Sequence, residues 1–169
     1  MIETYIRDVP DFPKPGIVFK DITPLLSSPD GLRLAFDGLA RHAEEHAFDL
    51  VAGIESRGFL FGTALAHRLG KGFIPIRKPG KLPWKTDAET YDLEYGTDTL
   101  EIHVDAAENG ARVLMVDDLL ATGGTMQAAC KLVKKVGGTP VGCLFVIELG
   151  FLPGRERLGD LPVHSLIEY

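Results

Sequence analysis

Between Val113 and Thr125 the chain reads Val-Leu-Met-Val-Asp-Asp-Leu-Leu-Ala-Thr-Gly-Gly-Thr. Apolar residues run straight into two adjacent carboxylates, Asp117 and Asp118. A small-residue loop, Ala121-Thr122-Gly123-Gly124-Thr125, then opens a helix. Glycine lets backbone N–H groups approach an anion closely, and a helix N-terminus adds favourable partial positive charge. The hydroxyls of Thr122 and Thr125 can donate to phosphate oxygens. The two carboxylates would repel phosphate but suit sugar hydroxyls or the water shell of magnesium. Together these features describe a holder for a sugar phosphate. A strand-to-helix turn with capping residues is the plainer reading of a lone Gly-Gly, because short motifs match by chance; the full run favours the phosphate. No GxxxxGK[ST] loop and no GxGxxG fingerprint occurs in the chain, so the loops that hold ATP or a dinucleotide in that way are excluded.

Two other groupings carry reactive side chains. Arg77-Lys78-Pro79-Gly80-Lys81-Leu82-Pro83-Trp84-Lys85 has four cations and no acid. Such a run is usually a solvated face, but in an acidic chain with an anionic substrate it is where the neutralising charge would be concentrated. His42-Ala43-Glu44-Glu45-His46 matches the HxxEH pattern of zinc peptidases. It falls at the end of a helix with no third ligand evident in the sequence, and a metal there is not expected. His67, His103 and His164 are scattered and read as structural or solvated.

These groups need a frame. Ser28 is a good N-cap and Pro29 fits the first helical position, and Leu32, Ala35, Phe36, Leu39, Ala40 and Ala43 follow at helical spacing. Asp49 to Ile54 reads as a buried strand, Gly58 to Leu69 as a second helix stopped by Gly70, and Phe73 to Ile76 and Arg112 to Val116 as further strands. A helix from Gly124 to Val136, a strand from Val141 to Ile147 and an edge strand from Val163 to Ile167 complete the series. This alternation predicts an α/β fold, an open and mostly parallel sheet flanked by helices, with chemistry beyond the carboxyl ends of the strands. Residues 1–27 are Pro-rich with little periodicity. Residues 77–105 form a polar arm whose end, Leu100, Ile102 and Val104, alternates like an exposed antiparallel strand.

Length and composition set the bounds. A chain of 169 residues, 45% hydrophobic and 25% charged, is one globular domain with a real core, without repeats or low-complexity tracts. The net charge of −6 argues against nucleic-acid or anionic-membrane binding. No apolar run approaches the roughly 20 residues of a membrane span. Met1 to Pro10 lacks a signal-peptide layout, and Cys130 and Cys143 have no metal spacing, so a cytoplasmic location is expected.

The strand, acidic pair and Thr-Gly-Gly-Thr loop resemble the signature of the type I phosphoribosyltransferases. DDLLATGGT, with IESRGFLFG at 54–62, IRKPGKLP at 76–83, YDLEYG at 91–96 and PDFPKPGIVFKDITPLL at 10–26, is similar to the members of that family that use adenine. The resemblance covers essentially the whole chain. It implies the type I phosphoribosyltransferase fold as a single domain, with residues 1–27 as a small hood and 77–105 as a flexible arm or lid. It also implies transfer of phosphoribose from phosphoribosyl pyrophosphate to adenine with Mg²⁺, and a homodimer.

Residue by residue, the resemblance gives the 5′-phosphate to Ala121, Thr122, Gly123, Gly124 and Thr125, and the ribose hydroxyls to Asp117 and Asp118, which would meet magnesium only through water. Glu55, Ser56 and Arg57, with a cis Glu55–Ser56 peptide, would form the pyrophosphate loop. Arg57 at a helix start opposes the helix dipole, a local conflict that favours function. Arg77 and Lys81 are the further pyrophosphate cations. Glu94, paired with Tyr95 in the arm, would assist proton movement at the purine, and Arg57 and Arg77 would share the catalytic work. Phe19 and Leu119 would stack on adenine while backbone groups of Val18 and Lys20 read its edge. Family members often have arginine where Lys20 stands, so its side chain is not assigned a role. The same site with a 6-oxopurine base, and a non-catalytic sensor of phosphoribosyl pyrophosphate, are the alternatives. The first is decided by relative rates with different bases, the second by binding without turnover.

Overall fold

A computed structural model of the chain describes residues 1–93 and 96–169. After a 3₁₀ turn at Ile2–Tyr5, strands β1 (Arg7–Pro10) and β2 (Val18–Asp21) form an antiparallel hairpin. Then come α1 (Thr23–Ser27), α2 (Pro29–Ala43), β3 (Leu50–Ile54), α3 (Arg57–Arg68) and β4 (Gly72–Ile76). A second antiparallel pair follows, β5 (Thr86–Asp92) and β6 (Thr97–His103). The chain continues through β7 (Arg112–Leu120), α4 (Gly124–Lys135), β8 (Thr139–Glu148), α5 (Gly154–Arg157) and β9 (Val163–Glu168).

Five parallel strands make the central sheet, in the order β4-β3-β7-β8-β9. Successive residues of a strand point to opposite faces, and the core divides accordingly. Val51, Leu114, Val116, Leu144 and Val146 pack against Ala35, Leu39 and Ala43 of α2 and Phe61 and Leu65 of α3. Ala52, Met115, Cys143 and Phe145 pack against Met126, Ala129 and Val133 of α4. Burial of both faces is why these strands read as unbroken apolar runs. The expected cap is present, with Ser28 Oγ accepting from the Gly31 N–H at 3.1 Å. At the amino ends of β3 and β7, Arg112 makes a two-pronged bond to Asp49, Nε to Oδ2 at 3.0 Å and an Nη to Oδ1 at 2.8 Å.

Two expectations need correction. The strand expected to end at Val116 runs on to Leu120, because Asp117 and Leu119 pair with Phe145 and Ile147 of β8 and Leu120 is buried. The end of the arm is not exposed: Leu100 and Ile102 are fully buried in the α4-side core, while Val104 stays exposed. Lys131 and Lys135 of α4 hold the hairpin through Glu89, the Lys135 Nζ lying 2.6 Å from its carboxylate. Residues 1–27, which lack periodicity, nevertheless form a hairpin and a short helix. The Asp21 carboxylate starts that helix by accepting from the Thr23 N–H at 2.8 Å and its hydroxyl at 2.6 Å.

Candidate active site

At the carboxyl ends of β3 and β7 lies a cleft of about 500 Å³. The chain leaves β3 through Glu55 and Ser56 into α3, and leaves β7 through Ala121 and Thr122 into α4. Neither helix has a side-chain hydrogen bond capping its N-terminus. The backbone N–H groups of two first turns are thus available on one cleft, where their partial positive charge suits an anion.

Gly123 makes the α4 turn possible. Its φ of +81° lies in the left-handed region, and a Cβ there would fall 2.6 Å from the Gly154 carbonyl oxygen. Gly58 serves the other helix, since a Cβ on it would meet the Asp117 carboxylate at 2.8 Å.

Between the two helix ends stand Asp117 and Asp118. Asp118 is buried and forms an ion pair with Arg57, whose side chain is half-exposed toward the cleft. Burial alone would lower the Arg57 pKa, but Asp118, Asp117 and Asp21 together raise it. Asp117 accepts the Asp118 N–H at 2.9 Å. Desolvation of its carboxylate, reinforced by the Asp118 charge, pushes the Asp117 pKa well up.

Glu55, Ser56, Arg57, Asp117, Asp118, Leu119, Ala121, Thr122, Gly123, Gly124 and Thr125 all line the cleft. The Glu55–Ser56 peptide is cis, as the resemblance implied. The Glu55 carboxylate turns to the basic run, accepting from the Lys78 N–H at 2.9 Å and from Arg77 Nε at 3.2 Å. Its pKa is lowered, first by the Lys78 N–H and also by the Arg77 charge, against the opposing effect of burial. Arg77 does not line the cleft: besides Glu55 it donates to the Lys81 carbonyl at 3.2 Å, and Lys81 itself is exposed.

Val18, Phe19 and Lys20 lie beside the cleft on β2 rather than in its lining. The Phe19 ring centroid is 5.8 Å from the Arg57 guanidinium carbon and 5.2 Å from the Phe12 ring, edge to face. The Lys20 ammonium is engaged by Asp8 at 2.7 Å and sits 3.6 Å over the Tyr169 ring. Glu94 and Tyr95 lie outside the described residues.

Sequence reasoning assigned no site role to Lys78, Tyr91, Leu93 and Asp98, which also line the cleft. Three of them form a chain. Thr125 Oγ1 donates to the Tyr91 hydroxyl at 3.2 Å, Tyr91 donates to Asp98 at 3.3 Å, and Asp98 holds the Lys78 ammonium. Burial works against the charge on Lys78, but Asp98 and Tyr91 outweigh it and raise its pKa. The arm thus delivers a charged lysine to the α4 loop. Lys78 belongs to the basic run and Tyr91 to the YDLEYG block, but their meeting depends on the β5–β6 register.

The phosphoribosyl transferase domain model matches residues 31–157. An adenine phosphoribosyltransferase of Thermobifida fusca is 58% identical over 166 residues, 98% of this chain and 94% of the relative. The crystal structure of adenine phosphoribosyltransferase from Thermoanaerobacter pseudethanolicus superposes with a TM-score of 0.97 at 54% identity, covering 99% of this chain and 98% of that one. The enzyme of that name from Saccharomyces cerevisiae, complexed with D-2,5-dideoxy-2,5-imino-altritol 1,6-bisphosphate and adenine, gives 0.93 at 41% identity, covering 98% and 96%. The chain belongs to the phosphoribosyltransferase family, and within it to the adenine phosphoribosyltransferases.

Proposed function

We propose that this chain transfers the 5-phosphoribosyl group of phosphoribosyl pyrophosphate to adenine, giving AMP and pyrophosphate. The observation that carries this reading is the pair of uncapped helix N-termini opening on one cleft with Asp117 and Asp118 between them. Two anionic groups joined by a polyhydroxyl ring fit that spacing of charge. The turn from Ala121 to Thr125 takes the 5′-phosphate, the start of α3 with Ser56 and Arg57 takes pyrophosphate, and Asp117 and Asp118 accept from the ribose hydroxyls. Arg77 and Lys81 supply further positive charge to pyrophosphate. Phe19 and Leu119 stack on adenine while the backbone of Val18 and Lys20 reads its edge. Glu94 assists the proton at the base, with Tyr95 beside it.

Displacement at ribose C1 passes through an oxocarbenium-like state, and the protein contributes mainly by positioning both reactants and stabilising the departing charge. Such a cation is vulnerable to water, so closure of the arm as a lid is part of the proposal; Leu100 and Ile102 anchor its far end in the core.

The metal donors available in the cleft are oxygens, which suit magnesium. Asp118 is already answered by Arg57 and Asp117 by a backbone N–H. The two carboxylates would therefore hold Mg²⁺ through its water. Its charge would offset that of the leaving pyrophosphate. A homodimer and a cytoplasmic location belong to the same reading; no helix among the described residues is long and apolar enough to cross a membrane.

The test is pyrophosphate release from phosphoribosyl pyrophosphate and Mg²⁺ across a panel of nucleobases. Adenine is expected to give the highest rate, with AMP as product. A faster 6-oxopurine, or binding without turnover, would overturn the reading.

A further inference from the structure

The HxxEH segment gains in the fold a partner that its sequence does not show. His42 lies in the last turn of α2, and Glu45 follows just beyond it. His164 comes from β9, paired in register with Leu144 of β8. One ligand atom from each of His42, Glu45 and His164 lies within 4.8 Å of the other two. His42 Nδ1 and Glu45 Oε1 are 3.0 Å apart, and Glu45 Oε2 lies 3.8 Å from His164 Nε2.

The arrangement is held from several sides. The rings of His42 and His164 stack with centroids 4.7 Å apart. His46 meets His164 edge-on at 5.3 Å, and its ring is seated on Gly142 so closely that a Cβ there would come within 2.7 Å of it. Its Nε2 is buried without a hydrogen-bond partner among the described residues. A buried polar atom left in this way costs free energy unless something satisfies it. The C-terminal end of α2 also contributes the negative end of its dipole, which favours positive charge.

We propose that His42, Glu45 and His164 bind a zinc-type divalent cation at the amino-terminal edge of the sheet, away from the cleft, and so staple the end of α2 to the edge strand β9. Two imidazoles and a carboxylate match borderline metals such as Zn²⁺ and disfavour Mg²⁺ and Ca²⁺, which prefer all-oxygen sites. Tetrahedral bonds of about 2.0–2.1 Å place ligand atoms about 3.3 Å apart. One atom from each residue already lies within 4.8 Å of the other two, and turning the stacked His42 and His164 rings about their Cβ–Cγ bonds would aim both lone pairs at one ion beside Glu45. The ion would take the place of the contact between His42 Nδ1 and Glu45 Oε1, and solvent would supply the fourth ligand.

The test is calorimetric titration of the metal-free full chain with Zn²⁺ in excess Mg²⁺, which saturates the oxygen sites. One equivalent should bind, with affinity falling about tenfold or more in His164→Asn and in Glu45→Ala. Glu45 is exposed, so its removal leaves folding intact. At a hundredfold excess over the parent Kd the parent Tm should rise by about 5 °C or more, and at the same Zn²⁺ this rise should shrink to about half or less in both variants. Co²⁺ should give the visible absorption of a tetrahedral site in the parent alone. Absence of Zn²⁺ binding, or equal binding in parent and variants, would overturn the proposal.

Discussion

Desolvation raises the pKa of Asp117 well above the ordinary carboxylate value of 3.8, the Asp118 charge adds to the rise, and Arg57 pulls against it more weakly. A carboxyl that keeps its proton in the folded chain stabilises the fold at low pH, and that contribution is lost as pH rises through the folded-state value. Near neutral pH Asp117 is therefore a burden on the free protein. Asp117→Asn is expected to stabilise it by about 1–2 kcal/mol, read as a higher Tm, while turnover at limiting phosphoribosyl pyrophosphate falls. A lower Tm would contradict this account. Lys78 makes the complementary case: it is kept charged by Asp98 and Tyr91 beside the α4 loop. Lys78→Met should raise the KM for phosphoribosyl pyrophosphate about 10- to 100-fold, the worth of a charged hydrogen bond, with a smaller effect on that for adenine. Equal KM values in parent and variant would remove Lys78 from the site.

The elements converge on the α4 turn, and Gly123 is its tightest point. Alanine there must adopt a left-handed φ and press its Cβ against the Gly154 backbone, which has no side chain to rotate away. Gly123→Ala is expected to cost about 2–3 kcal/mol, or roughly 5–10 °C in Tm, and to weaken phosphoribosyl pyrophosphate use. A melt within a degree or so of the parent would mean that the turn relaxes easily. This turn was legible in the sequence because its parts are contiguous: Ala121 to Thr125 name the loop and the helix start in one run. The Ser28 cap and the two-sided strands were legible for the same reason. What was not legible depends on distant pairing. Two aspartates look like the end of a strand, and only Phe145 and Ile147 on β8 show that β7 continues. Leu100 and Ile102 look like one face of a solvated strand until α4 covers them. Lys78, Tyr91 and Asp98 meet because of the β5–β6 register, and His164 joins His42 through sheet order; neither leaves a local pattern.

At the scale of the whole molecule, the depressed carboxylates among the described residues outnumber the raised one. Asp21, Asp49, Glu55, Glu89, Asp98 and Glu148 all have lowered pKa values, and Asp117 opposes them. Groups of the first kind contribute stability that is present above their unfolded values of 3.8 and 4.5 and is lost as pH falls through their folded ones. Tm is therefore expected to fall steeply below about pH 4, with Asp49→Asn reducing the steepness; a flat acid limb would count against these pairings. The paired groups are spread from the amino-terminal hairpin to β8, so acid should loosen the molecule everywhere at once. Distance along the chain matters in another way at the cleft. The α4 turn rests on Gly154, and Gln127 of that helix donates to the Arg157 carbonyl at 3.0 Å. A nascent polypeptide still on the ribosome, with residues 154–157 inside the exit tunnel, has the whole α4 turn made and yet lacks the buttress against which it sets. The turn therefore sets only once residues 154–157 have emerged, well after its own residues have been translated.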